Sequence, residues 1–308
     1  MGIGIDTVAA RPAPAAYRWG LVLVLSAGVC WSTIGLGVRL IDSATVWQIL
    51  FYRSIAMTAL LFIAITLRSR GRPMKSVRNA GPSGLIGGLA FVFASAGGIA
   101  AIQSTTVANA MLLFAIAPFL TAVIGLVVLR ESVRRATWIA MAVSLVGVAI
   151  MVTGGAARGH WLGNVLALLS ALGFAVFTVS LRWRQSDDTL SAAFLGGVFA
   201  VLVSGSVCAA WGLDFILPPA DMAIALAMGI FQVGAGLILY SLGSNAVPAA
   251  ELALLSMTEV LLGPVWVWLV VGEGASLSTV LGGSILLAAL AGNAVSGLRR
   301  RPLPISLA

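Results

Sequence analysis

The chain has 308 residues, 60% of them hydrophobic and 9% charged, with a mean hydropathy of +1.07. A soluble domain carries about 25% charged residues, so a globular protein with a solvated surface is excluded. The net charge of +8 would point a soluble protein toward nucleic acid, but here the placement of the basic residues points to a membrane.

A tail over 1–18 with Arg11 and Arg18 leads into the first apolar stretch, Trp19 to Val38. It is too long for the short apolar core of a cleaved leader, and SAGVC at 26–30 places Val29 where a lipoprotein site needs a small residue. Nine stretches follow: Val46 to Leu67, Gly84 to Ile102, Thr106 to Leu129, Thr137 to Val152, Trp161 to Leu181, Leu190 to Trp211, Met222 to Leu242, Pro248 to Val271 and Ser276 to Leu298. About 20 helical residues cross a hydrocarbon layer of roughly 30 Å, and most of the ten have near that length. Thr137 to Val152 is the shortest.

The gaps sort by charge. Arg11, Arg18, Arg68, Arg70, Arg72, Lys75, Arg78, Arg130, Arg134, Arg135, Arg182, Arg184, Arg299, Arg300 and Arg301 fall on one side if every stretch crosses once; Arg39 and Arg158 fall on the other. Short loops rich in Lys and Arg stay cytoplasmic. The pattern predicts an all-α membrane protein of ten transmembrane helices with both termini cytoplasmic. The gap Ser244 to Val247 carries no charge for this rule to read. Trp19, Trp47, Trp138, Trp161, Trp183 and Trp211 lie at helix ends, as aromatic rings of the headgroup layer do. Cys30 and Cys208 lie inside apolar stretches and read as buried free thiols.

Residues 104–132 and 244–274 resemble each other: each begins with Ser, runs through an apolar helix and ends in a glutamate, Glu131 or Glu273. The chain divides into halves at 19–153 and 161–298, followed by a tail at 299–308. Five crossings per half make the second an inverted copy of the first, an arrangement of secondary carriers whose substrate site lies near midplane.

Ionisable side chains inside membrane helices cost roughly 2.5 to 3.5 kcal/mol near the centre, which singles out Arg53, Glu251 and Glu259. Glu251, Leu255 and Glu259 share one helix face. Glu259 reads as a proton or cation site and Arg53 as a ligand for an anionic group such as a carboxylate; alternatively the two pair and lock the halves. Glu251, nearer the helix end, suits a gate or a structural role. Trp31, Ser32, Thr33, Tyr52, Asn109, Gln232, Ser256 and Thr258 add a polar and aromatic lining, with Trp31 placed to stack on an aromatic substrate or to pack between helices. Pro118 and Pro264 should kink the fourth and ninth helices.

The chain has no GxxxxGK[ST] loop, so it is not its own ATPase and implies no ATPase subunit. Its single histidine, His160, excludes multi-histidine metal sites. It carries no catalytic constellation, so no enzyme activity, cofactor or nucleic-acid partner is expected.

Trp31-Ser32 in helix 1, FYRSIAMTALL around Arg53, APFLTAVIG at 117–125 and MTEVLLGPVWVWLVVGE at 257–273 resemble the EamA-type carriers of the drug/metabolite transporter superfamily, over essentially Trp19 to Leu298. Val260 stands where a proline commonly follows the helix-9 glutamate. The second half looks most like the YddG-type aromatic amino-acid exporters. That resemblance implies a multi-pass carrier of the bacterial inner membrane exporting aromatic and other neutral amino acids by alternating access, with Arg53, Asn109, Gln232, Glu251 and Glu259 lining the cavity. Efflux of cationic drugs or other small metabolites is the alternative.

Overall fold

A computed structural model describes residues 14–130, 133–156, 160–183, 189–247, 255 and 257–298. Glu131, Arg158, Arg184, Glu251, Ser256 and the tails 1–13 and 299–308 lie outside the described residues. No strand occurs among the described residues.

The first apolar stretch folds as α1 (Pro14–Ser32) and α2 (Ile34–Arg39), and the second as α3 (Val46–Arg68). Next come α4 (Pro73–Ser104), α5 (Val107–Phe114), α6 (Ala117–Val128), α7 (Arg135–Ala156), α8 (Trp161–Trp183) and α9 (Thr189–Ala210). The eighth stretch is α10 (Pro219–Ala227), a π-helix (Met228–Ala235) and α11 (Gly236–Gly243) in succession. A 3-10 turn at Ser244–Ala246 follows, then α12 (Met257–Val271) and α13 (Leu277–Leu298). Among the described residues, eight helical spans are long and apolar enough to cross a membrane, and Thr258–Val271 and Leu277–Asn293 are shorter apolar helices. The fifth stretch, the shortest in sequence, extends to 22 residues of helix.

Local chemistry explains the interruptions. The third helix begins earlier than its apolar run because a short segment from Pro73 precedes a break at Gly81, whose φ of 54° and ψ of −151° suit a residue without Cβ. Pro82 restarts the helix, at a position where a missing N–H costs nothing. At the α1–α2 junction the Ser32 and Thr33 hydroxyls donate to the carbonyls of Val29 and Cys30, both at 2.7 Å, competing with the helical ladder. Pro118 clashes with a helical carbonyl four residues back, at Phe114. Accordingly α5 stops at Phe114 and α6 starts at Ala117 with Pro118 in its first turn. Pro264 lies inside α12, which runs on through it.

Lipid tails are as apolar as leucine, so in a membrane helices associate by close packing and polar bonds rather than by escape from water. Both devices are present. The α7 and α13 backbones meet at Gly147 and Gly282, where a Cβ on either glycine would strike the other's carbonyl oxygen. α4 packs on α8 and α9, α3 on α9, and α1 on α11, around fully buried Ile49, Leu50, Ile99, Ile102, Met111, Leu113, Met151 and Leu286. Outward-facing Trp19, Trp138, Trp161, Trp183 and Trp211 are exposed at helix ends, where the headgroup layer receives them.

Hydrogen bonds mark two ends of the bundle. At one, Asp221 accepts from the backbone N–H groups of Asp42 and Ser43 and from the Ser43 hydroxyl; Gln103 Nε2 donates to the Ala44 carbonyl at 3.2 Å, and Gln48 Nε2 to that of Asp214 at 2.7 Å. At the other, Arg68 reaches the Ser241 hydroxyl at 3.3 Å, and Arg134 and Thr137 both bond Asn293. The basic gaps at 68–72 and 134–135 thus lie opposite the gap that holds Arg39.

Candidate functional site

Among the described residues, besides α4 at Gly81, three helical stretches are broken or distorted: α1–α2 at Thr33, α5–α6 at Ala115–Ile116, and the Met228–Ala235 π-helix. Discontinuous helices and π-bulges free backbone groups and recur at functional sites. Trp31 is two residues before the first break, and Gln232 lies inside the π-helix.

Arg53 sits on α3, 3% exposed, and its Nη1 is buried without a hydrogen-bond partner. The π-helix crosses directly over it: a Cβ on Gly229 would collide with the Arg53 carbonyl oxygen, so only glycine permits this approach. One turn further along, Gln232 is 5% exposed and its Oε1 is likewise buried and unpartnered. A cation removed from water without a counter-charge costs several kcal/mol, and an unmet acceptor about 1 to 3. An unmet donor and an unmet acceptor thus lie on two touching helices; Thr58 Oγ1 and Ser144 Oγ are the other buried side-chain atoms without a partner among the described residues.

An aromatic pair packs just beyond the π-helix. Trp31 packs against Gly236, immediately after the π-helix, and its ring centroid lies 5.3 Å from that of Tyr240, tilted by 42°. Such pairs offer an apolar wall with polar edges. The far side of α1 meets α12, where Gly28 touches Thr258 and the Trp266 Nε1 donates to Ser32 Oγ at 2.8 Å. Glu259 stands beside Thr258, half-buried. Among the described residues it has no cationic partner, and the ion pair formed there joins Arg39 to Glu273. The alternative in which Arg53 and Glu259 neutralise one another is not the arrangement of this structure.

Other expected lining residues are placed differently. Asn109, 2% exposed, is fully engaged: its Nδ2 donates to Thr105 Oγ1 at 3.2 Å and to Asn164 Oδ1, and its Oδ1 accepts from Thr279 Oγ1 at 3.5 Å. Asn164 Nδ2 in turn donates to the Val152 carbonyl at 3.3 Å. This knot fastens α5, α8 and α13. The Tyr52 hydroxyl donates to the Phe215 carbonyl, tying α3 to the loop after α9. Glu251 and Ser256 lie outside the described residues.

The knot yields a prediction. Asn109→Ala strands buried partners at about 1 to 3 kcal/mol and should lower the melting temperature in detergent by several degrees while leaving substrate KM within about two-fold. A KM change without a stability loss would make Asn109 a ligand instead.

Sequence reasoning missed Tyr240, Asn164, Thr279 and the Arg39–Glu273 pair. Tyr240 is one of three tyrosines in the chain and lies inside an apolar helix, a signal that was present in the sequence. Arg39 and Glu273 are 234 residues apart, and nothing local announces their meeting.

Among the described residues the fold is a helical bundle of apolar spans, the architecture of a multi-pass membrane protein, and the family match makes that protein a transporter. The chain belongs to the EamA-like transporter family, whose pattern matches it twice, over residues 18–153 and 161–295. It is 26% identical over 273 residues to an uncharacterized transporter of Archaeoglobus fulgidus, covering 88% of this chain and 94% of that one. It is 31% identical over 153 residues to protein RarD of Streptomyces exfoliatus, covering 49% and 48%. A solved crystal structure shares the fold with a TM-score of 0.64 at 18% identity, covering 92% of this chain and all of the other.

Proposed function

We propose that this carrier exports aromatic and other neutral amino acids across the bacterial inner membrane by alternating access. The observation that carries the reading is the pair of buried, unpartnered atoms, Arg53 Nη1 and Gln232 Oε1, beside the Trp31–Tyr240 wall. A guanidinium is a donor for a carboxylate, an amide carbonyl accepts from an ammonium, and the ring pair takes an aromatic side chain. An α-amino acid brings all three.

The topology that goes with it has ten crossings in two inverted five-helix halves and cytoplasmic termini. The doubled family match and the segregation of basic gaps to one end of the bundle support it. The end bearing Arg39 and Glu273 is then external. α1 and α2 pack on α12 while α8 packs on α5 and α6, as exchange of the halves requires. The YddG-type exporters remain the branch this reading favours.

A second reading, efflux of cationic drugs or metabolites, draws on Glu259, a half-buried carboxylate with no cation beside it among the described residues. Proteoliposomes preloaded with labelled tryptophan or phenylalanine separate the two. Efflux faster than from protein-free vesicles supports amino-acid export. Absence of amino-acid flux, with transport of a quaternary ammonium probe instead, establishes the second reading and refutes the first.

A further inference from the structure

At the proposed external end Arg39 closes α2 and Glu273 follows α12. Arg39 Nε lies 2.7 Å from Glu273 Oε2, and its Nη2 donates to the Thr105 carbonyl at 2.6 Å. The other carboxylate oxygen, Glu273 Oε1, accepts from the backbone N–H of Val107 at 2.6 Å. Val107 is the first residue of α5, so its N–H has no partner within the helix, and the helix dipole favours a carboxylate there.

These bonds join three places: the end of α2, the α4–α5 junction and the end of α12. Their division of labour is unequal. Glu273 has a second bond, to the α5 N-terminus, that does not involve Arg39, whereas both polar contacts of Arg39 cross from α2 to the other two elements. Arg39 is therefore the part able to leave.

Exposure separates a gate from a weld. The Arg39 and Glu273 side chains are 25% and 20% exposed, so water reaches both, and ion pairs open to solvent typically contribute about 1 kcal/mol or less. The Asn109 knot, by contrast, is sealed from solvent and expensive to open. Reversible closure requires the former.

We propose that Arg39, gripping Glu273 and the Thr105 carbonyl, is the external gate latch: it holds the exit path closed, and its release from the α5–α12 side opens that path outward. The proposal rests on the transport reading for its orientation, but its geometry can be tested without a substrate.

The test places spin labels at Ile216→Cys and Leu277→Cys, exposed positions beside α10 and at the start of α13, with Cys30 and Cys208 replaced by serine, and measures the distance distribution by pulsed electron resonance in nanodiscs. The otherwise native chain should show mainly the short separation. Arg39→Ala and Glu273→Gln should raise the ratio of long to short separations about five-fold, equivalent to about 1 kcal/mol, and Arg39→Lys should raise it less. Distributions unchanged by both Arg39→Ala and Glu273→Gln overturn the latch. Should these variants fail to fold, the labelled native chain decides between 0.05 and 1 M NaCl, where the screening length shrinks to about 3 Å. A growing long component supports the latch, and a salt-independent distribution overturns it. A shifted distribution without amino-acid flux leaves the latch standing and removes the substrate reading; flux with an unshifted distribution does the reverse.

Discussion

Arg53→Ala is expected to lower transport efficiency for a carboxylate substrate about 10- to 100-fold while leaving the melting temperature unchanged or raised. The first part follows from the role proposed for the guanidinium, since a hydrogen bond to a charged group contributes about 1.5 to 3 kcal/mol and each 1.4 kcal/mol is tenfold. The second follows from the burial of Arg53 Nη1 without a hydrogen-bond partner. Removing an uncompensated buried charge relieves a cost rather than breaking a bond. A structural role predicts the opposite pair of results. Initial rates in proteoliposomes, with thermal melting of the same preparations, separate them. A stability loss with unaltered KM would assign Arg53 to packing.

Glu259→Gln is expected to abolish any response of export to an imposed pH gradient while preserving exchange of internal for external substrate. Glu259 is half-buried on α12, one residue after the Thr258 contact with α1 and with no cationic partner among the described residues. A carboxylate so placed can take up and release a proton without breaking an ion pair. Glutamine keeps the shape and loses the titration. Gradient-driven efflux should fall to the rate seen without a gradient, and a variant that still follows the gradient would remove Glu259 from the coupling path.

The helices were legible in the sequence because membrane spans announce themselves by length and apolarity. The limits of α3, Val46 and Arg68, lie within one residue of the expected stretch. Features that depend on single residues were read less well. Pro118 was legible as an interruption, yet the break falls on the residues before it, where the ring strikes Phe114. The π-helix at Met228–Ala235 leaves no signature in MGIFQVGA, and the approach of its Gly229 to the Arg53 carbonyl joins residues far apart in the sequence.

The site divides in the same way. Arg53, Gln232, Glu259 and Trp31 were found because polar groups and mid-membrane rings are conspicuous against apolar helices. The same signal drew in Asn109, which meets Asn164 and Thr279 instead of an empty space, and Tyr52, whose hydroxyl is spent on Phe215. A sequence gives the cost of burying a polar side chain but not whether a neighbour meets it.

The central claim is that the unmet donor and acceptor beside Trp31 and Tyr240 receive the two charged ends of an amino acid. Competition against efflux of labelled tryptophan from proteoliposomes tests it most directly, using tryptamine, which lacks the carboxylate, and indole-3-propionate, which lacks the ammonium. Unlabelled tryptophan should compete at least tenfold better than either analogue. Equal competition by all three, or no tryptophan flux, would contradict the account.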